Sequence, residues 1–382
     1  MMKITAAPDS FKGTVTSSEA GLAVISAFLD AAAERGEDPP ETHTVVMADG
    51  GEGTTEALIA HGGEIVSLGV CGPDPGQRVG GFFGVTRGGE AVVELAAAAA
   101  LPQSELRDPE KTTTYGVGQL ISAALDRSPK KLILALGGSA TNDGGCGMAA
   151  ALGVRFLDAS GNGFVPVGGT LERIASIDMS GLDGRIKDIP VEVMCDVTSP
   201  LCGEKGAAAV FAPQKGASPE AVRRLDAGLR HLARVWSAAA GQDADEILSL
   251  PGGGAAGGCG AGAVIALGAS LRPGADVVLD AAGFDGMLSG CDLVVTGEGK
   301  FDASSLSGKA VGAVARRCAS KGVPCVVLAG QAEPTSADIL RKAGITAVFS
   351  TQRAVISRDE IKARARDDIY ETALNVARLF AV

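Results

Sequence analysis

Histidine is scarce in this chain: His43, His61 and His231 are the only three in 382 residues, and each lies in a strand or helix pattern. No histidine-based triad or zinc site is suggested. The eight cysteines (Cys71, Cys146, Cys195, Cys202, Cys259, Cys291, Cys318, Cys325) show no C-x-x-C pair. Most sit among apolar or small residues, as buried thiols of a reducing compartment do. Aromatics make up only 4% against a hydrophobic fraction of 46%, so the core is Ala, Val, Leu and Ile, usual for layered α/β packing. Neither G-x-x-x-x-G-K-[ST] nor H-R-D occurs, which removes the ordinary P-loop and protein-kinase schemes. No apolar stretch reaches about 18 residues without charge or clustered glycine, so no membrane span is indicated. The opening M-M-K-I-T-A-A-P lacks the apolar core of a signal peptide, and a soluble, cytoplasmic protein is expected. Positive charge is in deficit. A net charge of -11 argues against nucleic acid and gives an anionic substrate no help from the global field. Local cations must hold it.

Glycine is abundant instead. The 54 glycines are about twice the average share, and they cluster after strands. The stretch Asp292–Asp302 (D-L-V-V-T-G-E-G-K-F-D) shows the pattern most plainly. Leu293-Val294-Val295 reads as a short strand buried on both faces and ended by Thr296 and Gly297. Glu298, Lys300 and Asp302 then follow among glycines that would let backbone approach a ligand. In open α/β sheets ligands bind beyond the carboxyl ends of strands, so these charges are expected at a crevice.

The same grammar recurs along the chain. Lys3–Ala7 is a strand followed by Asp9, Ser10 and Lys12, then by a helix whose capping box is Thr16 with Glu19. His43–Met47 is a strand ending in Asp49-Gly50-Gly51-Glu52-Gly53, and Glu64–Leu68 a third. Gly80–Val85 and Ala91–Glu94 read as a β-hairpin, which places a domain boundary nearby. Lys131–Leu136 is a strongly apolar strand. It leads into Gly137-Gly138-Ser139-Ala140-Thr141-Asn142-Asp143-Gly144-Gly145, whose short neutral donors suit a polyphosphate. Val191–Cys195 ends at Asp196, a position for a general base, a metal ligand or a plain turn residue. A long amphipathic helix over 218–240 follows. The segment 251–262 contains a formal G-x-G-x-x-G (Gly252, Gly254, Gly257), but no strand precedes it. That weakens it as a dinucleotide fingerprint and favours a loop over a ligand or an interdomain hinge. βα alternation occupies both ends of the chain. The economical reading is a discontinuous parallel-sheet domain, 1–72 plus 284–382, with an inserted mixed α/β domain at 73–283.

Glycine loops, a few lysines and isolated carboxylates beyond strand ends are what phosphoryl transfer requires. The run A-P-D-S-F-K-G, A-D-G-G-E-G-T, G-G-S-A-T-N-D-G-G, C-D-V-T-S-P-L, F-A-P-Q-K-G-A, G-G-G-A-A-G-G-C-G-A-G and T-G-E-G-K-F-D resembles the bacterial type I glycerate kinase family, in order and across nearly the whole chain. The resemblance implies ATP- and Mg²⁺-dependent phosphorylation of D-glycerate, usually to 2-phosphoglycerate. It also implies a Rossmann- or flavodoxin-like domain with an inserted second α/β domain and an active site in the cleft between them. It suggests Asp196 as base and Lys300 for charge stabilisation, a position where many relatives carry Arg. Combining both sources, Gly137, Gly138, Ser139, Thr141 and Asn142, with Gly254 and Gly257, are expected to hold nucleotide phosphates. Asp9, Ser10, Lys12, Asp49 and Glu298 are expected to grip the substrate, and Asp302 the Mg²⁺. The alternatives are a nucleotide-dependent oxidoreductase using Gly252–Gly257 and a non-catalytic binder of small organic acids. Oligomeric state is left open, a homodimer being one option.

Overall fold

The computed structural model describes residues 1–11, 13–60, 62–306, 309–352, 354 and 357–380. Strands β1 (Lys3–Ala6) and β2 (Glu41–Thr44) open the chain, followed by β3 (Gly63–Cys71), β4 (Arg78–Thr86), β5 (Glu90–Glu94) and β6 (Lys131–Ala135). Three short strands, β7 (Arg155–Leu157), β8 (Gly163–Phe164) and β9 (Ser176–Asp178), precede β10 (Val191–Met194) and β11 (Ser270–Arg272). The series closes with β12 (Leu293–Phe301), β13 (Cys325–Ala332) and β14 (Ala347–Ser350). Backbone contacts divide the chain into two compact units, Met1–Asp49 with Ala275–Val382, and Gly50–Gly274.

The first unit is built on a parallel sheet in the order β14-β13-β12-β1-β2. The chain runs outward from β1 to β2 and, on its return, outward the other way from β12 to β14. The order therefore reverses between β1 and β12, the place where doubly wound sheets open a crevice. Helix Ser17–Arg35 begins with the expected capping box: Glu19 N–H donates to Thr16 Oγ1 (3.2 Å) and Thr16 N–H to a Glu19 carboxylate oxygen (2.9 Å). Such a cap contributes about 1 kcal/mol. The helix buries Ala20, Val24, Ala27 and Phe28 in one core with Ile369, Ala373 and Ala377 of the last helix, Arg358–Phe380. That helix carries its own Ser357–Glu360 box.

β12 corrects the sequence reading. It does not stop at Thr296 but continues to Phe301, pairing with β13 as far as Phe301↔Ala332. The bare Cα of Gly297 makes this pairing fit: a Cβ there would stand 2.3 Å from the Leu328 carbonyl oxygen. Its freedom serves strand-to-strand approach, so Glu298 and Lys300 are strand residues and not part of a turn.

The second unit carries a six-stranded mixed sheet, β11-β10-β6-β5-β4-β3, and a small antiparallel sheet, β8-β7-β9. β3, β4 and β5 form an antiparallel meander, while β5, β6, β10 and β11 run parallel. The expected boundary at residue 72 therefore differs from the contact division: Glu64–Leu68, read as part of the first domain, pairs with β4 along its length. A strand's alternation does not say which sheet it joins. The core below this sheet is aliphatic, with Leu120, Leu132 and Leu134 fully buried and Trp236 set edge-on to Phe156 at 6.1 Å. All eight cysteines are free thiols, five of them buried. Among the described residues no helix is long and apolar enough to cross a membrane.

Candidate active site

The parallel part of the second sheet fixes where its loops emerge. Glu94, Ala135, Met194 and Arg272 are aligned in register at the carboxyl ends of β5, β6, β10 and β11. The loops that follow must leave one edge of the sheet, with neighbouring strands about 4.8 Å apart. Asp196 stands two residues beyond the end of β10. It is solvent-exposed and accepts the Gly274 N–H at 2.7 Å.

Next to it, the residues after β6 form the glycine-rich loop. The loop is pinned on its outer side: Leu101 N–H donates to Gly138 O, Ala140 N–H to Ala99 O, and Thr112 Oγ1 to Ala140 O. Gly137 N–H donates to Gly50 O at 2.8 Å, and a Cβ on Gly137 would meet Gly51 Cα at 2.4 Å. Only glycine lets the 50–53 turn and this loop cross so closely. Glu94 is buried and accepts the Thr55 N–H, fastening the other end of that turn; burial raises its pKa.

The inner side of the loop is closed to water. Thr141, Asn142 and Asp143 are fully buried and Ser139 nearly so. Asp143 is well served, accepting from Thr114 N–H and Oγ1 and from the amides of Gly145 and Gly147 at 2.8–3.1 Å. Burial nevertheless pushes its pKa up. Asn142 is the opposite case: both atoms of its side-chain amide are buried with no partner among the described residues, as is Thr141 Oγ1. An unsatisfied buried polar group costs about 1–3 kcal/mol, so such a pair is retained where something else completes it.

Gly254 and Gly257 behave differently from the expectation of phosphate-cradling glycines. Gly254 N–H donates to Ser199 O, in the loop that carries Asp196, and Gly257 O accepts from Gly144. A Cβ on Gly257 would stand 2.1 Å from Thr141 O. The segment joins the Asp196 loop to the glycine-rich loop, and the space before Gly257 is filled by the chain itself. The G-x-G-x-x-G also follows a helix (Ala244–Ser249) and not a strand, so the dinucleotide geometry is absent.

One group that sequence reasoning quoted without assigning is Lys215. It is 2% exposed, and its Nζ donates to Ser139 Oγ (2.8 Å) and to Thr141 O (2.7 Å). Burial lowers its pKa to about 7, against the opposing pull of Asp143 and Cys259. The available signal was a lone lysine in the Ala- and Gly-rich run F-A-P-Q-K-G-A.

The first unit gathers the other expected residues at its β1/β12 edge. Asp9 N–H donates to Gly297 O, and Ser10 N–H to Asp9 Oδ1. Glu298 is half-buried, and one of its carboxylate oxygens is buried with no partner among the described residues. Burial raises its pKa, with a Ser305 hydrogen bond opposing and the nearby Asp9 and Asp302 charges adding to the rise. Lys300 is half-exposed and pairs with Glu333 (2.7 Å) and Asp302 (3.2 Å). Asp302 accepts from Ser304 Oγ (2.6 Å) and Ser304 N–H (2.8 Å). Those bonds and Lys300 hold its pKa down to about 2. Among the described residues no three or more His, Cys, Asp or Glu side chains are grouped to hold a metal. Asp49 ends the opening segment of this unit, and Lys12 lies outside the described residues. A cavity of about 300 Å³ lies at the same edge, lined by Phe11, Thr14, Gly299, Gly330 and Gln331 among others.

Residues 4–381 match the model of the glycerate kinase family. The chain is 41% identical to a glycerate kinase of Bacillus subtilis (strain 168) over 380 residues, covering 98% of this chain and 97% of the relative. It is 40% identical over 386 residues to the glycerate 2-kinase of Escherichia coli (strain K12), covering 100% and 98%. A crystal structure described as glycerate kinase 2 from Salmonella typhimurium LT2 superposes with a TM-score of 0.86 at 41% identity, covering 100% of this chain and 98% of that one. The chain belongs to the glycerate kinase family and is a kinase.

Proposed function

We propose that this protein phosphorylates D-glycerate at the expense of ATP, giving 2-phosphoglycerate. The observation that carries the nucleotide half is the buried, unpartnered amide of Asn142 beside unpartnered Thr141 Oγ1. A phosphate accepts from such donors, and their burial strengthens each bond. The name of the Escherichia coli relative, a glycerate 2-kinase, supports the acceptor and the position.

Asp196, exposed at the end of β10 and oriented by the Gly274 amide, is assigned as the base that takes the proton from the glycerate hydroxyl. The hydroxyl oxygen then bonds the γ-phosphorus as the bond to the bridging oxygen breaks and ADP departs. From the first unit, Lys300 is assigned to neutralise charge on the transferred group. Asp9, Ser10 and Glu298 are assigned to glycerate. Gly137–Asn142 hold the nucleotide phosphates, with Gly254 and Gly257 supporting that loop from behind. Mg²⁺, when bound, neutralises phosphate oxygens. It needs only one or two carboxylates besides these, and Asp302, ionised at neutral pH, fits that requirement. A cytoplasmic location goes with this reading.

The test is ADP release across a panel of small hydroxy acids with and without Mg²⁺, with the product identified by phosphorus NMR. D-Glycerate and ATP should give 2-phosphoglycerate. ADP release with a different acid, or 3-phosphoglycerate as product, refutes the corresponding part.

A further inference from the structure

Lys215 has no place in the reaction described so far, yet it is the most deeply buried lysine of the second unit's functional edge. Its two hydrogen bonds have directional consequences. An ammonium can only donate. By occupying the oxygen of Ser139 Oγ it commits that hydroxyl's own proton to point elsewhere, as a donor. By holding the Thr141 carbonyl at 2.7 Å it fixes the whole 141–142 peptide plane, because carbonyl and N–H point opposite ways across a trans peptide. The Asn142 N–H must then face away from the lysine. It makes no hydrogen bond among the described residues, and it sits on the residue whose side-chain amide is likewise unpartnered. In a chain with a net charge of -11, the lysine also brings positive charge to the loop.

We infer that Lys215 is the positioning residue of the phosphate loop: through Ser139 Oγ and the Thr141 carbonyl it turns the hydroxyl and the Asn142 amide into donors for the nucleotide phosphates, and its charge offsets theirs. The inference rests on the reading of Gly137–Asn142 as the nucleotide loop. Removing the lysine frees the peptide to rotate and leaves the loop without that positive charge.

The titratable groups acting on Nζ are Asp143, on the loop, and Cys259, on the helix Ala255–Leu267. With a pKa of about 7, the amine is largely neutral at pH 8. An arriving triphosphate favours the charged form, so binding should take up protons.

The experiment is calorimetric titration of the full-length protein with ATP at pH 8 in two buffers of different ionisation heat, for wild type, Lys215→Met and Asn142→Leu. Wild type should take up a proton on binding, and Lys215→Met should take up less. That variant should lose roughly 10²-fold in kcat/KM for ATP, as for loss of an oriented donor. Its KM for glycerate should move less than twofold. A lysine with only a structural role would not alter proton uptake. ATP binding to Lys215→Met with unchanged affinity and uptake overturns the inference. Should that variant fail to fold, Ser139→Ala decides: unchanged ATP affinity after loss of the hydroxyl that Lys215 orients overturns it. The loop reading fails separately, if Asn142→Leu binds ATP as wild type does.

Discussion

The two units carry the same sequence grammar, glycine and acid beyond a strand end, and use it in different ways. In the first unit the charges satisfy one another at the surface: Lys300 lies between Asp302 and Glu333, and Asp302 is further held by Ser304. In the second unit the loop after β6 is buried, its lysine is neutralised in part by burial, and its asparagine is unpartnered. Exposed ion pairs typically contribute 0–1 kcal/mol and are easily exchanged. A buried unpartnered amide is costly to keep. Under the proposed reading, the second region keeps a costly buried amide for the nucleotide, and the first holds exposed charges for the transferred group.

Mutations that exploit this contrast differ in size. Asp196→Asn keeps the acceptor oxygen for Gly274 and should leave folding intact while turnover falls by about 10²–10⁴-fold, measured by steady-state ADP release. Near-normal turnover would remove Asp196 from its role. Lys300→Ala should lower kcat by about 10²-fold with little change in melting temperature, since the lost ion pairs are exposed. A large drop in stability with normal kcat would make the residue structural. Gly257→Ala places a methyl 2.1 Å from Thr141 O at a φ of +67°. It should lower the melting temperature by several degrees and weaken ATP binding together, checked by thermal melts with and without ATP; an unchanged melt would mean the two loops separate freely.

The pH dependence of stability sharpens the comparison further. The pKa of Lys215 is lowered to about 7 in the fold, while an unfolded lysine titrates near 10.4. Between these values the unfolded chain binds more protons, so the contribution of this group to stability rises with pH; below about 7 its cost is fully present. Relative to Lys215→Met, wild type should gain up to about 1.4 kcal/mol per pH unit across that window, read from urea unfolding at pH 7, 8 and 9. A flat difference would show a lysine of ordinary pKa. The smallest effect is Glu333→Gln, which breaks one exposed pair and should change stability by less than about 1 kcal/mol.

Much of this was legible before the fold. The alternation of apolar strands and glycine turns announced the parallel sheets, and Ser, Thr and Asn between glycine pairs marked the 137–145 loop. Two things were not. The sequence reading ended β12 at Thr296, because glycine punctuates strands locally. Here Gly297 instead lets β13 approach. Likewise the glycines at 252–258 advertised a ligand contact but serve backbone-to-backbone packing, which no local pattern encodes. Lys215 escaped because burial of a lysine depends on what folds over it: residues 139 and 141 lie more than seventy positions away.

The central claim is that the buried polar atoms after β6 exist for a nucleotide. Asn142→Leu tests it most directly, since leucine keeps asparagine's branched shape without the amide. Titration with ATP should show at least tenfold weaker binding, while the melting temperature of the ligand-free protein stays level or rises as the unpartnered amide is removed. Undiminished ATP affinity accompanied by a fall in melting temperature would contradict the account.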